Sequence, residues 1–244
     1  MTVVLFIAAA VGGALNAVAG GGSFFTLPAL IFAGVAPVAA NATSTLALWP
    51  ASVSSTFAYR GDIQTSRQWL LVLGLASVIG GLAGALLLVR TSDSSFLRLL
   101  PWLMFIAAAT FTFGNKIRQA TAHTGHASLA VVAVLQLVIA TYGGYFGGGM
   151  GIMMLATMAL AGMTNIHQMN GLKSFLGVAI NGVALVLFIS NGAITWKYGA
   201  TMAVGATLGG YTTAYLARKI DTRYVRTFVI VVGWVMTVYF FFRS

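Results

Sequence analysis

Gly20-Gly21-Gly22-Ser23-Phe24-Phe25-Thr26-Leu27-Pro28 interrupts an apolar run that begins at Val3, and Gly147-Gly148-Gly149-Met150-Gly151 interrupts a second run that begins near residue 128. Three successive glycines remove the side chains that would pack a helix and free the backbone for conformations other residues avoid. A bilayer tolerates broken backbone only where protein buries it or where it lines a cavity. Two such breaks at matching places in two halves of a chain point to a binding site at the junction of the halves.

The surrounding composition sets the solvent. Of 244 residues, 59% are apolar and only 7% charged, against about 25% charged in an average soluble domain. The charges are segregated into Arg60, Asp62 and Arg67; Arg90, Asp93 and Arg98; Lys116 and Arg118; and Arg218, Lys219, Asp221, Arg223 and Arg226, with Lys197 and Arg243 apart. Apolar spans of roughly 20 residues, the length that crosses a hydrocarbon core, separate them. The chain therefore reads as an all-α polytopic protein of the cell (plasma or inner) membrane. Its net charge of +10 is the Lys and Arg excess of short cytoplasmic loops, which argues against nucleic acid as a partner. With no cysteine, disulfides and thiolate metal sites are excluded. Val3 to Val11 followed by Ala17-Val18-Ala19 imitates a secretory signal and its cleavage site. No positive residue precedes that run and the same pattern recurs at 128–149, so the segment is expected to be retained.

Laying 3–113 over 128–242 exposes an ordered series of matches. Gly20-Gly21-Gly22 falls on Gly147-Gly148-Gly149, Gly34 on Gly162, Asn41 on Asn170, and Gly61-Asp62-Ile63 on Gly192-Ala193-Ile194. Asp93-Ser94-Ser95-Phe96-Leu97-Arg98 then meets Asp221-Thr222-Arg223-Tyr224-Val225-Arg226. The expected organisation is a first repeat over 1–114, a connection over 115–127 and a second repeat over 128–244. Apolar pieces fall near 3–19, 23–34, 38–58, 66–89 and 95–113, and again near 128–146, 150–162, 167–189, 197–217 and 223–242. That makes about ten helical segments, eight of them full spans. The second piece of each half spans only some 16–18 Å of helix, too short for a core of about 30 Å. Each triplet therefore either breaks one long helix or turns the chain back inside the membrane. If it turns back, one face carries Arg60, Arg67, Lys116, Arg118, Arg218, Lys219 and Arg223 against Arg90, Lys197 and Arg243 on the other. A simple break divides the loop charges six against four. The positive-inside rule prefers reversal, which gives each half odd parity and makes the repeats inverted.

Within this frame a few residues can do chemistry. Gly20, Gly21, Gly22 and Ser23, with Gly147, Gly148, Gly149 and Gly151, can present N–H groups and helix N-termini to an anion; close helix packing is the competing use of glycine, and it is the expected one for Gly80 with Gly84 and Gly205 with Gly209. Behind each break lies a polar patch, Asn41-Ala42-Thr43-Ser44-Thr45 in the first half, with Asn41, Thr43 and Ser44 as the binding candidates, and His167 to Ser174 in the second. Asn41 and Asn170 are equivalent hydrogen-bonding candidates, while helix–helix hydrogen bonding competes for the hydroxyls. Lys173 stands about seven residues inside its span, and no acidic residue accompanies it, because the only acids are Asp62, Asp93 and Asp221. Either the substrate is its counter-ion, or the side chain snorkels to the interface and is solvated there. His167 is the one candidate for proton linkage, with helix capping as its alternative use. No metal site is expected, His123 and His126 lacking further ligands, no cofactor is implied, and enzyme signatures such as HExxH or a nucleophile elbow are missing.

These stretches resemble a known family. Asn16-Ala17-Val18-Ala19-Gly20-Gly21-Gly22-Ser23, Leu27-Pro28-Ala29-Leu30, Ala40-Asn41-Ala42-Thr43-Ser44 and Tyr59-Arg60-Gly61-Asp62-Ile63 are similar to the first repeat of the TauE/SafE membrane permeases. Gly143-Gly144-Tyr145-Phe146-Gly147-Gly148-Gly149-Met150-Gly151, Asn170-Gly171-Leu172-Lys173 and Asn191-Gly192 resemble the second. The resemblance implies a secondary transporter, not an enzyme, that moves small sulfur-containing anions such as sulfite, sulfoacetate or other organosulfonates, or related carboxylates. Alternating access around a midplane site is the expected mechanism. The expected partners are that small anionic substrate and the lipid bilayer, with a homo-oligomer left open. The alternatives are a passive anion channel, a non-transporting membrane subunit and a membrane enzyme. Met150 stands where the first repeat has Ser23, so the two half-sites are unequal.

Overall fold

The computed structural model describes residues 1–18, 20–63, 65–121, 127–216 and 222–243, apart from the side chains of 17, 18, 58, 62, 115, 121, 214–216 and 222–224. The expected loop charges Arg218, Lys219 and Arg223, the acids Asp62 and Asp221, and His123 and His126 therefore lie outside the described side chains. The described residues form helices α1 (Thr2–Val18), α2 (Ser23–Phe32), α3 (Pro37–Ala58), α4 (Arg67–Arg90), α5 (Asp93–Thr121), α6 (Leu129–Tyr145), α7 (Met150–Leu160), α8 (Ile166–Ser190), α9 (Trp196–Leu216) and α10 (Thr222–Phe241), with a 3-10 turn at Arg60–Asp62. No strand occurs among them. The segments follow the apolar pieces of the sequence closely. The one large difference is α5, which continues to Thr121 and takes up part of the expected connection over 115–127. The helix runs through Gly114 and Asn115, where its apolar part ends, without a left-handed residue to close it, and Lys116, Ile117, Arg118 and Gln119 beyond them include neither Gly nor Pro.

Among the described residues, three helical stretches are individually long and apolar enough to cross a bilayer: Arg67–Arg90, Asp93–Gly114 and Ile166–Ser190. Their outward faces carry large apolar side chains at helical spacing, as at Leu71, Leu75, Ile79 and Leu82 of α4, while Leu73, Ser77, Gly80, Gly81, Gly84 and Leu88 of the same helix are buried. A soluble protein does not leave such stripes to water. This is an integral membrane protein.

At each glycine triplet the chain reverses. The Ala127 N–H donates to the Leu160 carbonyl at 3.0 Å, so the start of α6 lies against the end of α7. In the first half, a Cβ on Gly12 would stand 2.9 Å from Thr26 Cγ2 and 3.1 Å from the Gly22 carbonyl oxygen. The short helices α2 and α7 thus fold back beside α1 and α6. Both end in the same way. Gly34 and Gly162 take φ of +83° and +85°, and the residues after them, Val35 and Met163, donate to Leu30 and Met158. This is the glycine-terminated helix end in which a left-handed residue lets the chain cap its own last carbonyls.

Glycine seams fix the long helices. A Cβ on Gly205 would lie 2.6 Å from the Phe6 carbonyl oxygen and one on Gly209 1.9 Å from that of Ala10, so α1 and α9 run side by side in the same direction. Gly80 and Gly84 meet the Leu137 and Thr141 carbonyl oxygens at 2.6 and 2.0 Å, which sets α4 and α6 together in the same sense. Backbones this close exclude any larger residue, the packing use expected for these four glycines. Between the two seams α3 and α8 run antiparallel: Trp49 Nε1 donates to the Val178 carbonyl at 3.2 Å, while a Cβ on Gly171 would lie 3.2 Å from the Tyr59 carbonyl oxygen.

Candidate substrate cavity

The helices α2 and α7 both start on a glycine that carries no side-chain cap, Gly22 and Gly149. Gly20, Gly147 and Gly149 have φ of +82°, +83° and +78°, the left-handed region that glycine enters without steric cost. The backbone N–H groups of Ser23, Met150 and Gly151 open their helices and have no acceptor one turn earlier. The positive ends of both helix dipoles are aimed inside the protein.

These two helix ends border one cavity. Asn16, Gly20 and Ser23 line it from α1 and the start of α2, and Phe146, Gly147, Met150, Gly151 and Met154 from the equivalent corner of the second half. From α3 come Thr45, Leu48, Ser52 and Ser55, with Tyr59 just beyond; from α8 come Asn170, Lys173, Ser174, Gly177 and Asn181. The cavity has a volume of about 90 Å³, several times the ~10–15 Å³ that one water needs. A small ion with part of its hydration shell fits such a volume.

The lining is rich in donors and poor in negative charge. The aliphatic stem of Lys173 lies against Gly151, its Cδ 3.2 Å from where a Cβ would stand, so a side chain at 151 would crowd the ammonium arm. Among the described residues Lys173 forms no hydrogen bond or ion pair, and neither Asn170, Ser174 nor Asn181 hydrogen-bonds another side chain. Asn16 Nδ2 donates to Ser52 Oγ at 3.2 Å, and the Ser52 and Ser55 hydroxyls donate to backbone carbonyls one turn back at 3.2 and 3.0 Å. No carboxylate lines the cavity among the described residues. Leu48, Phe146, Met150 and Met154 give it an apolar side.

Several sequence-expected site residues sit elsewhere. Gly21 packs toward Val229 and Phe111, Gly22 toward Gly12 and Leu48, Gly148 against the Phe146 ring, and Gly149 against Ala107. They shape the two turns rather than face the cavity. Asn41 donates to the Tyr145 carbonyl at 2.8 Å. Thr43 Oγ1 accepts from the Thr195 N–H at 3.0 Å, and Ser44 Oγ lies 2.5 Å from Thr26 Oγ1. All three are fully buried and tie α3 to α6, to the α8–α9 turn and to α2. Asn41→Ala leaves the last carbonyl of α6 without its donor, a loss of about 1–3 kcal/mol for a buried acceptor. A lower midpoint in a detergent-solubilised thermal melt is the expected readout. His167 is exposed and outside the cavity; its N–H is capped by Asn165 Oδ1 at 3.0 Å.

The structure adds Asn16, Ser52, Ser55, Tyr59 and Asn181 to the lining, and from the two polar patches it brings Thr45 and Ser174 there as well. Their signal was available as polar residues at three- and four-residue spacing inside apolar helices, at 45, 52, 55 and 59 and at 170, 174 and 181, one face of a helix in each case.

A helical membrane protein that folds two glycine-started helix ends onto a buried, cation-bearing polar cavity belongs to the class of solute transporters. The sequence profile of the sulfite exporter TauE/SafE family matches residues 5–240, and the chain belongs to that family. Among curated relatives, the probable membrane transporter protein ORF9 of Sinorhizobium sp is 29% identical over 232 residues, covering 94% of this chain and 88% of the relative. The probable membrane transporter protein YfcA of Escherichia coli K12 is 29% identical over 237 residues, 96% of this chain and 87% of the relative. A probable membrane transporter protein of Haemophilus influenzae is 26% identical over 237 residues, 96% and 92% of the two chains. No solved structure matches. The protein is a membrane transporter of the TauE/SafE family.

Proposed function

We propose that the protein is a multi-pass secondary transporter of the cell (plasma or inner) membrane that moves small sulfur-containing anions, such as sulfite or an organosulfonate, by alternating access. The observation that carries this reading is Lys173, an ammonium arm without a protein partner at a cavity that two helix N-termini enter. An unpaired charge at membrane depth is costly, and an anion delivered to that point meets a cation, two dipole ends and several amide and hydroxyl donors together. Asn170, Ser174, Asn181 and Ser23 would hold its oxygens, and the Met150 and Met154 side would take a short apolar body.

Two inverted repeats supply the mechanism. Laid with Asn41 on Asn170, the lining residues Thr45, Leu48 and Ser52 correspond to Ser174, Gly177 and Asn181, which also line the cavity. Beyond that shared centre the halves differ. Ser55 and Tyr59 line the cavity, whereas their counterparts Ala184 and Phe188 are wholly buried. Asn170 and Lys173 line it, whereas Asn41 and Ser44 are 2% exposed. The antiparallel course of α3 and α8 makes these paired positions point to opposite faces. The cavity therefore extends toward the face of Tyr59, Arg60 and Arg67, the cation-rich face that the positive-inside rule assigns to the cytoplasm, and is sealed toward the other. A seal on one side favours a carrier over a passive channel, and exchange of the two conformations between the halves would reverse the access.

Counterflow in reconstituted vesicles tests the proposal. Vesicles preloaded with unlabelled ethanesulfonate should transiently accumulate external labelled ethanesulfonate or sulfite above its equilibrium level. Equilibration without an overshoot is the behaviour of a channel, and no uptake of any sulfur-containing anion sinks the substrate assignment.

A further inference from the structure

We propose that Lys173 locks the empty carrier, so that the protein exchanges one monovalent anion for another and does not return unloaded. The inference rests on the alternating-access reading above. In the present arrangement Lys173 borders the open cavity and is only half-buried. Its counterpart on the sealed side is Ser44, which is 2% exposed and engaged by the Thr26 hydroxyl. When the halves exchange conformation, the ammonium moves into the surroundings that Ser44 now has. A serine satisfies itself there with one neutral hydrogen bond. An ammonium taken out of water needs a counter-charge, and neutral donors cannot provide one.

Among the described side chains no acid is placed to supply it. Of the three acids in the chain, Asp93 accepts the Val38 N–H at 2.9 Å at the start of α3, the side chains of Asp62 and Asp221 lie outside those described, and no ion pair engages Lys173 among the described residues. Of the elements packed on α8, the end of α3 contributes Tyr59, and the 3-10 turn and α4 carry Arg60, Arg67 and Arg90, all exposed, while the described side chains of α7 and of the cavity-lining part of α1 include no cation or acid. A bound monoanion cancels the charge and allows the loaded carrier to close. A dianion would leave one uncompensated negative charge and meet the same barrier with opposite sign. The single cation thus selects singly charged anions and couples inward to outward movement.

Two measurements on the full-length protein test the lock. In vesicles loaded with labelled ethanesulfonate, efflux into buffer containing unlabelled ethanesulfonate should run at least about tenfold faster than efflux into gluconate buffer, the ratio produced by a barrier difference of one decade. Equal rates overturn the inference while leaving the transport reading intact. The second measurement needs no substrate. The chain has no cysteine, so Ser55→Cys provides one thiol on the cavity wall. With the lock in place, an impermeant maleimide added from the cavity side labels it readily. Adding Lys173→Ser frees the empty carrier to face the other way, and labelling should slow at least about threefold, a population shift of under one decade. Unchanged or faster labelling overturns the lock, and faster labelling is also what a misfolded variant would give. Absence of ethanesulfonate flux together with slowed labelling would preserve the lock and remove the sulfonate assignment.

Discussion

Lys173→Ala should abolish transport, cutting the initial rate of sulfonate flux by about a hundredfold or more, while the protein still inserts and elutes as a single species. The magnitude follows from what the substitution removes. A hydrogen bond to a charged group contributes about 1.5–3 kcal/mol, and removing one partner of a desolvated charge pair costs about 3–5 kcal/mol. Each 1.4 kcal/mol is one decade, so the loss spans two decades at the lower end. Folding should survive because the ammonium has no protein partner to abandon and its stem lies beside Gly151 at the edge of open space. Lys173→Arg retains the charge on a bulkier, planar head and should keep a fraction of the flux. Normal transport by the alanine variant in reconstituted vesicles would show that the anion binds elsewhere.

The other large effect is structural. Gly209→Ala and Gly84→Ala should each deplete folded protein in the membrane, because the added methyl would stand 1.9 Å from the Ala10 carbonyl oxygen and 2.0 Å from that of Thr141. Backbone cannot yield as a flexible side chain does, so α1 must move off α9, or α4 off α6. Overpacking a tight interior costs about 1–3 kcal/mol and occasionally more, and these seams also determine where the two halves meet. Gly74→Ala is the matched control, on the same helix as Gly84 with no atom within 4 Å of its Cβ. It should be neutral or stabilising by up to about 1 kcal/mol, the helix-propensity difference between the residues. Fluorescence-detected size exclusion of tagged variants compares the three. Equal monodisperse yields would mean that the helix pairs are not packed through these glycines.

The helical segments were legible because lipid imposes a simple rule. Apolar runs long enough to cross, punctuated by charge and glycine, mark the helices almost to the residue, and only α5 overran its expected end. The glycine triplets were legible as breaks for the same reason. The cavity was half legible. Of the residues singled out in sequence, Gly20, Ser23, Gly147, Gly151, Asn170 and Lys173 lie on its wall, and glycine beside a helix start and polarity inside a span are both local features. Asn41, Thr43 and Ser44 looked just as polar in sequence and are spent on internal hydrogen bonds. Nothing local separates the two patches, because the difference is which half is sealed. His167 likewise has the right chemistry for a proton relay, and its position at the exposed start of α8 keeps it outside the cavity.

By itself the sequence determined that this chain lives in a bilayer, that its apolar runs break twice, and that the polar stretches behind those breaks contain no acid and one lysine. Those properties depend on composition and on spacing along the chain. Only the tertiary structure decided that the chain turns back at each triplet, that α3 and α8 meet antiparallel, and that of two similar polar patches one is buried and one lines the cavity. The reversals rest on contacts across each turn, as between Ala127 and Leu160, and the other two on contacts between residues more than a hundred positions apart, as between Asn41 and Tyr145 or Trp49 and Val178; no local pattern encodes which partner a buried polar group will find.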